Sequence, residues 1–469
     1  MALSGIQIYK MLPQTNCKEC GYPTCLAFAM KLAAKQADLD KCPYVSDEAR
    51  EKLAESAAPP VQLVTLWADG DQSRLDQSRG DQGGRVEVKA GNEIVLFRHE
   101  KTFFNPPGLF IRVTDDLPLE VIRAKVEEAA SYSVEYVGMD LTIDGFAVEA
   151  TGDGDRFAAA VEAVLETAEL PLILMASDPE VMAKGLQAAE GVRPLIYGAG
   201  PDDWEGFAEL AKEHDAPMAI RADSLSDLAE LTEKIKGAGV EEIVLDPGAR
   251  DIRSSLAMNT LTRRMALKKT FRPLGFPMIS FPGECARGAN GGYDAGMVPV
   301  AATQAIAKYG GFVVLDEFSA ATVYPLLVLR TNIYTNPQEP IQVQPGLYEI
   351  NDPQADSAVM VTTNFSITYF SVANEVDGSG VPGWLLVADA EGMSVLTAWA
   401  AGKFDAERIA KAVKTTGVGD KVNHRKLVIP GHVSVLLGEL EEELPDWEIL
   451  VGPREAVDLA GYLKVWSAA

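Results

Sequence analysis

Four of the five cysteines fall between residues 17 and 42, in CKECGYPTCLAFAMKLAAKQADLDKC. Cys17, Cys20 and Cys25 follow one another at x2 and x4 spacing, so three thiolates share one tight loop turned by Gly21 and Pro23. Cys42, followed by Pro43, returns after sixteen residues. Bunched thiolates of this kind can wrap a cubane whose irons each take one sulfur, as in a [4Fe-4S] cluster. A structural zinc site on the same sulfurs stays open, although zinc modules usually present two separated C-x2-C knuckles. Disulfides are the third reading. They need an oxidising compartment, and MALSGIQIYKMLPQTN lacks the basic segment and apolar run of a secretory signal.

The elements that must position this loop are short. Ser4 can cap a helix over GIQIYKML, and Cys25 opens LAFAMKLAAKQA, where Leu26, Ala29, Met30 and Ala33 recur at helical spacing and are expected to face the cluster or its neighbour. Residues 47 to 56 read as a second helix, and SAAPP as a stiff linker.

From Val61 to about Arg330 the pattern changes. A low-complexity insert, DQSRLDQSRGDQGG, reads as a surface loop. Beyond it come eight apolar runs: LFIRV, FAVEA, LILMA, LIYGA, MAIRA, IVLDP, MISFP and FVVLD. Amphipathic segments with acidic starts and glycine stops separate them. Eight strand-helix units in about 250 residues predict a (β/α)8 barrel, with an open doubly wound sheet as the alternative. In a barrel, Asp246, Glu284, Cys285 and Asp316 would stand at the carboxyl rim. Asp246, before Pro247 and Gly248, reads first as a turn cap, and Cys285 as incidental.

After TNPQEPIQVQPGLYEINDPQ, taken as an extended proline-rich connector and hinge over about 335 to 358, four strand-to-helix turns follow. They lie at Thr362 to Asn364, Glu391 to Ser394, Pro430-Gly431 and Gly452-Pro453, and predict a small parallel α/β domain of Rossmann-like form binding a ligand at one sheet edge. No G-x-G-x-x-G follows its first strand, so a dinucleotide is not indicated.

The chain has 469 residues, 47 % of them hydrophobic, and a formal net charge of −26. That acidity disfavours nucleic acid and anionic membranes as partners, and no apolar run reaches the ~20 residues of a membrane span. A cytoplasmic α/β protein of domains 1–58, 61–332 and 333–469 is expected.

The stretches NCKECGYPTCLAFAMKLA, CPYVSDEAR, VLDPGAR, VTTNFSITYFSV, GMSVLTAWAAGKF, KLVIPG and DWEILVGPREA, in this order, resemble the large (gamma) subunit of the corrinoid iron-sulfur protein of the acetyl-CoA decarbonylase/synthase (Wood-Ljungdahl) pathway. The likeness runs through nearly the whole chain. The DQSR insert and the loop around FPGECARGANGG depart from it. It implies a [4Fe-4S] cluster on Cys17, Cys20, Cys25 and Cys42, a barrel that pairs with a smaller (delta) barrel subunit, and a C-terminal domain carrying a corrinoid. By motif, Thr363, Tyr369, Met393, Ser394, Val395, Leu396, Thr397 and Ala456 would line the corrin, Thr397 near the lower face of cobalt.

The implied activity is that of a methyltransferase component. Cobalt(I) would accept methyl from a methyl-tetrahydropterin held by a methyltransferase and deliver it to the nickel centre of acetyl-CoA synthase/CO dehydrogenase, while the cluster re-reduces cobalt(II). Of the four histidines, none lies in a D-x-H-x-x-G stretch: His424 sits in KVNHRK and His432 in PGHVSV. A base-off cobamide is therefore expected, since cobalt without a strong lower ligand is more easily reduced. Two other functions compete: an iron-sulfur electron-transfer subunit with a scaffold barrel, and an enzyme whose own barrel binds the pterin.

Overall fold

The computed structural model describes residues 5–33, 37, 39–46, 49–50, 53, 59–69, 85–100, 103, 105–136, 139–286, 292–334 and 341–466. Ser4, most of SAAPP, the DQSR insert and residues 335–340 of the connector lie outside them. The chain falls into two compact units. One runs to Tyr334 without Ser133–Thr142; the other joins Ser133–Thr142 to the chain beyond Tyr334.

In the first unit, helices Gly5–Met11 and Cys25–Ala33 pack on each other. Their core is Ile8, Leu12, Phe28 and Ala29, joined by Cys25, Cys42 and Val45. Leu26 and Met30 are 43 % and 54 % exposed, whereas Cys25, Phe28 and Ala29 are buried. Positions i, i+3 and i+4 share a helix face, so turning Cys25 inward carries Phe28 and Ala29 with it.

The unit's strands are β1 (Val64–Asp69), β2 (Arg85–Ala90), β3 (Gly108–Thr114), then, beyond a hairpin β4 (Val134–Tyr136) and β5 (Met139–Leu141) that belongs to the second unit, β6 (Gly145–Glu149), β7 (Leu172–Met175), β8 (Val192–Arg193), β9 (Leu195–Ala199), β10 (Met218–Arg221), β11 (Ile243–Asp246), β12 (Met278–Ser280) and β13 (Gly310–Leu315). Strands β3, β6, β7 and β9 to β13 form a closed barrel in chain order. Closure is made by parallel pairing of β13 with β3, from Phe312 opposite Gly108 to Leu315 opposite Ile111, which removes the open-sheet alternative. Each of the eight apolar runs is one barrel strand.

The antiparallel hairpin β1–β2, extended by β8, plugs the amino end of the barrel. Val64, Leu66, Val88 and Ala90 join Phe110, Ile173 and Phe312 in one buried cluster. Each such aliphatic stabilises by about 1.5–3 kcal/mol when fully buried. Arg193 ties the plug down, donating to Thr65 O at 2.7 Å and pairing with Glu242 at 2.9 Å. At the last helix, Ala320–Ile333, the buried Arg330 pairs with buried Asp144 just before β6.

The second unit is a sheet in the order β14 (Gly346–Ile350), β16 (Gly383–Ala388), β15 (Ala358–Thr363), β17 (Lys426–Ile429), β18 (Glu448–Val451). The last four are mutually parallel. Strand β14 is antiparallel to β16. It lies inside the stretch expected to be a connector, and Val343 N also donates to Asn364 O at 2.9 Å. The described part of that stretch is therefore built into the sheet and does not form a hinge. The hairpin β4–β5 belongs here too, with Tyr136 and Met139 against Tyr369, Val376, Leu459 and Leu463. Among the described residues no helix is long and apolar enough to cross a membrane.

Candidate functional site

The cysteine loop is shaped by left-handed backbone at Gln14, Asn16, Lys18 and Gly21. Alternating left-handed residues turn successive N–H groups to one side, the geometry that lines many iron-sulfur sites. One such group is placed on a sulfur: Asn16 N donates to Cys25 Sγ at 3.4 Å, while Asn16 Oδ1 accepts from Cys25 N at 2.8 Å. Cys25 and Cys42 are buried, Cys20 is half-buried and Cys17 exposed, all unpaired by disulfides. The disulfide reading is not realised. Tyr44 donates to Glu19 Oε1 at 2.9 Å, joining the loop to the turn after Cys42; its phenol is pushed up by Glu19 and then by the nearby sulfurs. Among the described residues no three His, Cys, Asp or Glu side chains gather around one ion. The same sulfurs can ligate zinc or the irons of a cluster. Unpaired sulfurs, one of them receiving a backbone donor, in an apolar setting are a donor set that fits the cluster.

At the carboxyl rim of the barrel the charged groups meet one another. Arg112 at the end of β3 reaches Glu149 at 3.2 Å, Glu284 at 3.1 Å and Asp316 at 3.2 Å. Arg250 holds buried Asp246 through two bonds, at 3.0 and 2.7 Å, and pairs with Glu284. Tyr197 donates to Asp246 at 2.7 Å. Burial works against the charge of each arginine, yet the carboxylates hold both guanidinium pKa values up. Phe281 lies between them, 5.4 and 5.2 Å from their guanidinium carbons. Asp246 also accepts from Gly248 N at 2.9 Å, so its turn-capping role holds. Cys285 is buried, its thiol pushed up to about 11 by burial, and it donates to Ala249 O at 3.7 Å.

The carboxyl edge of the second unit's sheet is different. A cleft of about 290 Å³ opens there, lined by Met360 to Thr362, Ile367, Ser394 to Leu396, His432, Gly452 and Ala456 among others. Each strand-to-helix turn presents an exposed aliphatic: Ile367 65 %, Leu396 48 %, Val435 65 % and Val457 66 %. The helical turns that start here, at Phe365, Ser394, Pro430 and Glu455, have no side-chain cap. Thr362 and Thr363 are buried with hydroxyls that find no partner, and a buried orphan hydroxyl costs about 1–3 kcal/mol. Gly431 brings the third and fourth turns together: a Cβ there would stand 2.6 Å from Gly452 O and 2.9 Å from Arg454 N. A broad apolar ligand rimmed by acceptors, as a corrin with its amide arms is, fits this edge.

Of the residues carried over by motif, Ser394, Val395, Leu396 and Ala456 line the cleft. Thr397 is exposed one turn away, its hydroxyl 3.0 Å from that of Ser394. Met393 packs against the sheet core, Thr363 lies wholly under the edge, and Tyr369 is buried beside Tyr348 and Phe370. Sequence reasoning marks Thr362 only as part of a turn at the ligand edge, and passes over Ile367 and His432 as site residues. Ile367 carries a signal, an aliphatic just past a strand-to-helix turn. His432 pairs with Glu455 at 3.4 Å across two turns, a contact no local motif announces.

Taken together, the fold and its sites define a two-unit α/β protein with a thiolate module on a barrel and a cofactor-sized apolar edge on a second sheet. A family model for the CO dehydrogenase/acetyl-CoA synthase delta subunit matches residues 79–463, and one for an Fe-S cluster matches residues 12–44. The corrinoid/iron-sulfur protein large subunit of Moorella thermoacetica is 42 % identical over 465 residues, 99 % of each chain. The acetyl-CoA decarbonylase/synthase complex gamma subunits of Methanopyrus kandleri and Archaeoglobus fulgidus are 35 % and 36 % identical, over 98 % of this chain and 97 % and 98 % of theirs. Among solved structures, dihydropteroate synthase from Thermus thermophilus aligns with 50 % of this chain and 100 % of its own at 17 % identity and a TM-score of 0.38. The chain belongs to the family of corrinoid/iron-sulfur protein large subunits.

Proposed function

We propose that this chain is the corrinoid-bearing methyl carrier of an acetyl-CoA synthase system, a methyltransferase component, with a [4Fe-4S] cluster on Cys17, Cys20, Cys25 and Cys42. The observation that carries the reading is the cleft at the sheet edge, lined by exposed Ile367 and Leu396 and by buried Thr362, whose hydroxyl is orphaned. When bound, the corrinoid supplies a reducible cobalt able to take a methyl group from a methyl-tetrahydropterin and give it to a nickel centre.

The chain's own residues do the rest. Ile367, Leu396, Val435 and Val457 would exclude water from one face of the macrocycle, and Thr362 would donate to its amide arms. Ser394 and Thr397 would sit near the lower face without supplying a strong ligand. Thr363, Tyr369 and Met393 would support that face from beneath. The four thiolates would hold the cluster that returns an electron when the metal is over-oxidised. The barrel would meet a smaller barrel subunit, and the cobalt edge would meet a methyltransferase and the synthase in turn.

Protein prepared without oxygen should show corrinoid absorbance and hold about one cobalt and about four irons per chain. Zinc in place of iron, or no cobalt, overturns the proposal. Electron paramagnetic resonance of the cobalt(II) form should show no nitrogen splitting from an axial base. Splitting that disappears in His432→Phe would make His432 a ligand and end the base-off reading.

A further inference from the structure

Asn364 follows β15 at the first strand-to-helix turn and is 1 % exposed. Its Oδ1 accepts from Ala390 N at 2.9 Å and Gly392 N at 3.0 Å. Two backbone donors can meet only the amide oxygen, which fixes the side chain's orientation. Nδ2 then donates to Gln342 Oε1 at 3.1 Å and Asp389 Oδ1 at 3.4 Å. Three of the four bonds of one amide are thus committed to the turn after β16, and the fourth to Gln342.

That turn cannot hold its shape by itself. Glu391 and Gly392 both have left-handed backbone, φ +54° and +70°, a conformation that an ordinary residue such as Glu391 adopts at a cost unless its surroundings enforce it. Asp389 Oδ1 accepts from Glu391 N at 3.0 Å, and Met393 N donates to Ala390 O at 3.1 Å, so the loop stays tight up to Ser394. Ser394, Val395 and Leu396, which follow directly, line the cleft.

We infer that Asn364 is the positioning residue of the corrinoid site: through Ala390 and Gly392 it sets where Ser394 to Thr397 stand, without itself touching the ligand. The inference rests on the corrinoid reading above. Gln342 can turn its amide to suit either partner, but Asp389 cannot. Asn364→Asp therefore sets one carboxylate against another in a buried place, and Asn364→Leu, similar in size, removes all four bonds.

The test uses the full-length chain freed of corrinoid and titrated with hydroxocobalamin, with amide hydrogen exchange read on the same samples. Asn364→Leu and Asn364→Asp should each bind about 10- to 100-fold more weakly, with faster exchange at Ala390 and Gly392 while β15 and β16 stay protected. Asp389→Asn alone should bind within about threefold of the parent, because it disturbs no charge pair at the turn. Combined as Asn364→Asp with Asp389→Asn, the like-charge contact is removed while residue 389 keeps its oxygen on Glu391 N, so binding and slow exchange should return in part. A general packing defect would not be rescued in this way. The inference is overturned if Asn364→Asp binds like the parent, or if the double variant is no better than Asn364→Asp. A parent chain that fails to bind hydroxocobalamin overturns the corrinoid reading, and this inference with it.

Discussion

Two carboxyl edges, the barrel rim and the end of the second sheet, occupy the position where α/β folds place their ligands, yet they are built in opposite ways. On the barrel, Asp153, Asp178, Ser224 and Asp251 cap their own helices, while the helices after Pro118, Asp203, Phe281 and Ser319 start uncapped. Arg112 and Arg250 are already held by Glu149, Glu284, Asp316 and Asp246. A substrate entering there would have to break ion pairs to be bound, which weighs against the barrel as a pterin enzyme in its own right. On the second sheet the helical turns start uncapped, two threonine hydroxyls are orphaned and aliphatics face outward. The two edges differ in chemistry: the barrel rim is a network of ion pairs, the second sheet's edge an apolar cleft.

The strongest way to break this contrast is to close the open edge. Gly431→Val puts side-chain atoms into the 2.6 Å gap before Gly452 O. Forcing two backbone turns apart should cost about 3 kcal/mol of stability and abolish corrinoid retention, both measurable by thermal unfolding and by absorbance after gel filtration. Retention at the parent level would place the ligand elsewhere.

Next in size, Arg250→Ala tests the barrel side. Asp246 is 1 % exposed and would lose its charge partner while keeping Tyr197 and Gly248 as donors. Removing one member of a buried pair costs ~3–5 kcal/mol. Since the Arg250 side chain is 23 % exposed, a loss nearer 2 kcal/mol is expected, with corrinoid affinity unchanged. An equal fall in affinity would mean that the two edges are not independent.

Much of the barrel and of the thiolate loop is legible in the sequence, for a physical reason. Barrel strands are buried on both sides and spaced by amphipathic helices, so LILMA and IVLDP announce themselves as apolar runs. The x2 and x4 spacing of Cys17, Cys20 and Cys25 is likewise local. What the sequence hides depends on partners distant in the chain. LYEI at 347–350 stands among prolines and looks like linker, and only its pairing with β16 makes it a strand. SVEY and MDL owe their place in the second unit to Tyr369 and Leu459, more than two hundred residues away. The cleft residues Ser394 to Leu396 are marked by motif, while His432 and Glu455 are joined only by folding.

A smaller effect sharpens the contrast from the open side. Val435→Lys places a charge on an exposed aliphatic, and surface changes of this kind usually move stability by less than about 0.5 kcal/mol. If the edge receives a flat apolar face, burying that position contributes about 1.4 kcal/mol, and hydroxocobalamin affinity should fall about tenfold with thermal stability unmoved. An unchanged affinity would remove Val435 from the covered surface.

The smallest expected effect belongs to the self-capped rim. Asp251 accepts from Arg253 N and Ser254 N, both at 3.0 Å, and from the Ser254 hydroxyl. The Ser254 hydroxyl and amide together hold its carboxyl below the ordinary carboxylate pKa. A lowered folded pKa means stability that is present above the unfolded value of ~3.9 and lost as pH falls through the folded one. Asp251→Asn keeps an accepting oxygen and removes the charge, so at pH 7 it should cost only a few tenths of a kcal/mol, the share owed to the helix dipole. That difference should shrink to nothing in acid, because the parent then carries a neutral cap as well. Urea unfolding of both proteins across the acid range reads this directly, and a gap that persists below the folded pKa would mean that the charge on Asp251 does not hold this helix start.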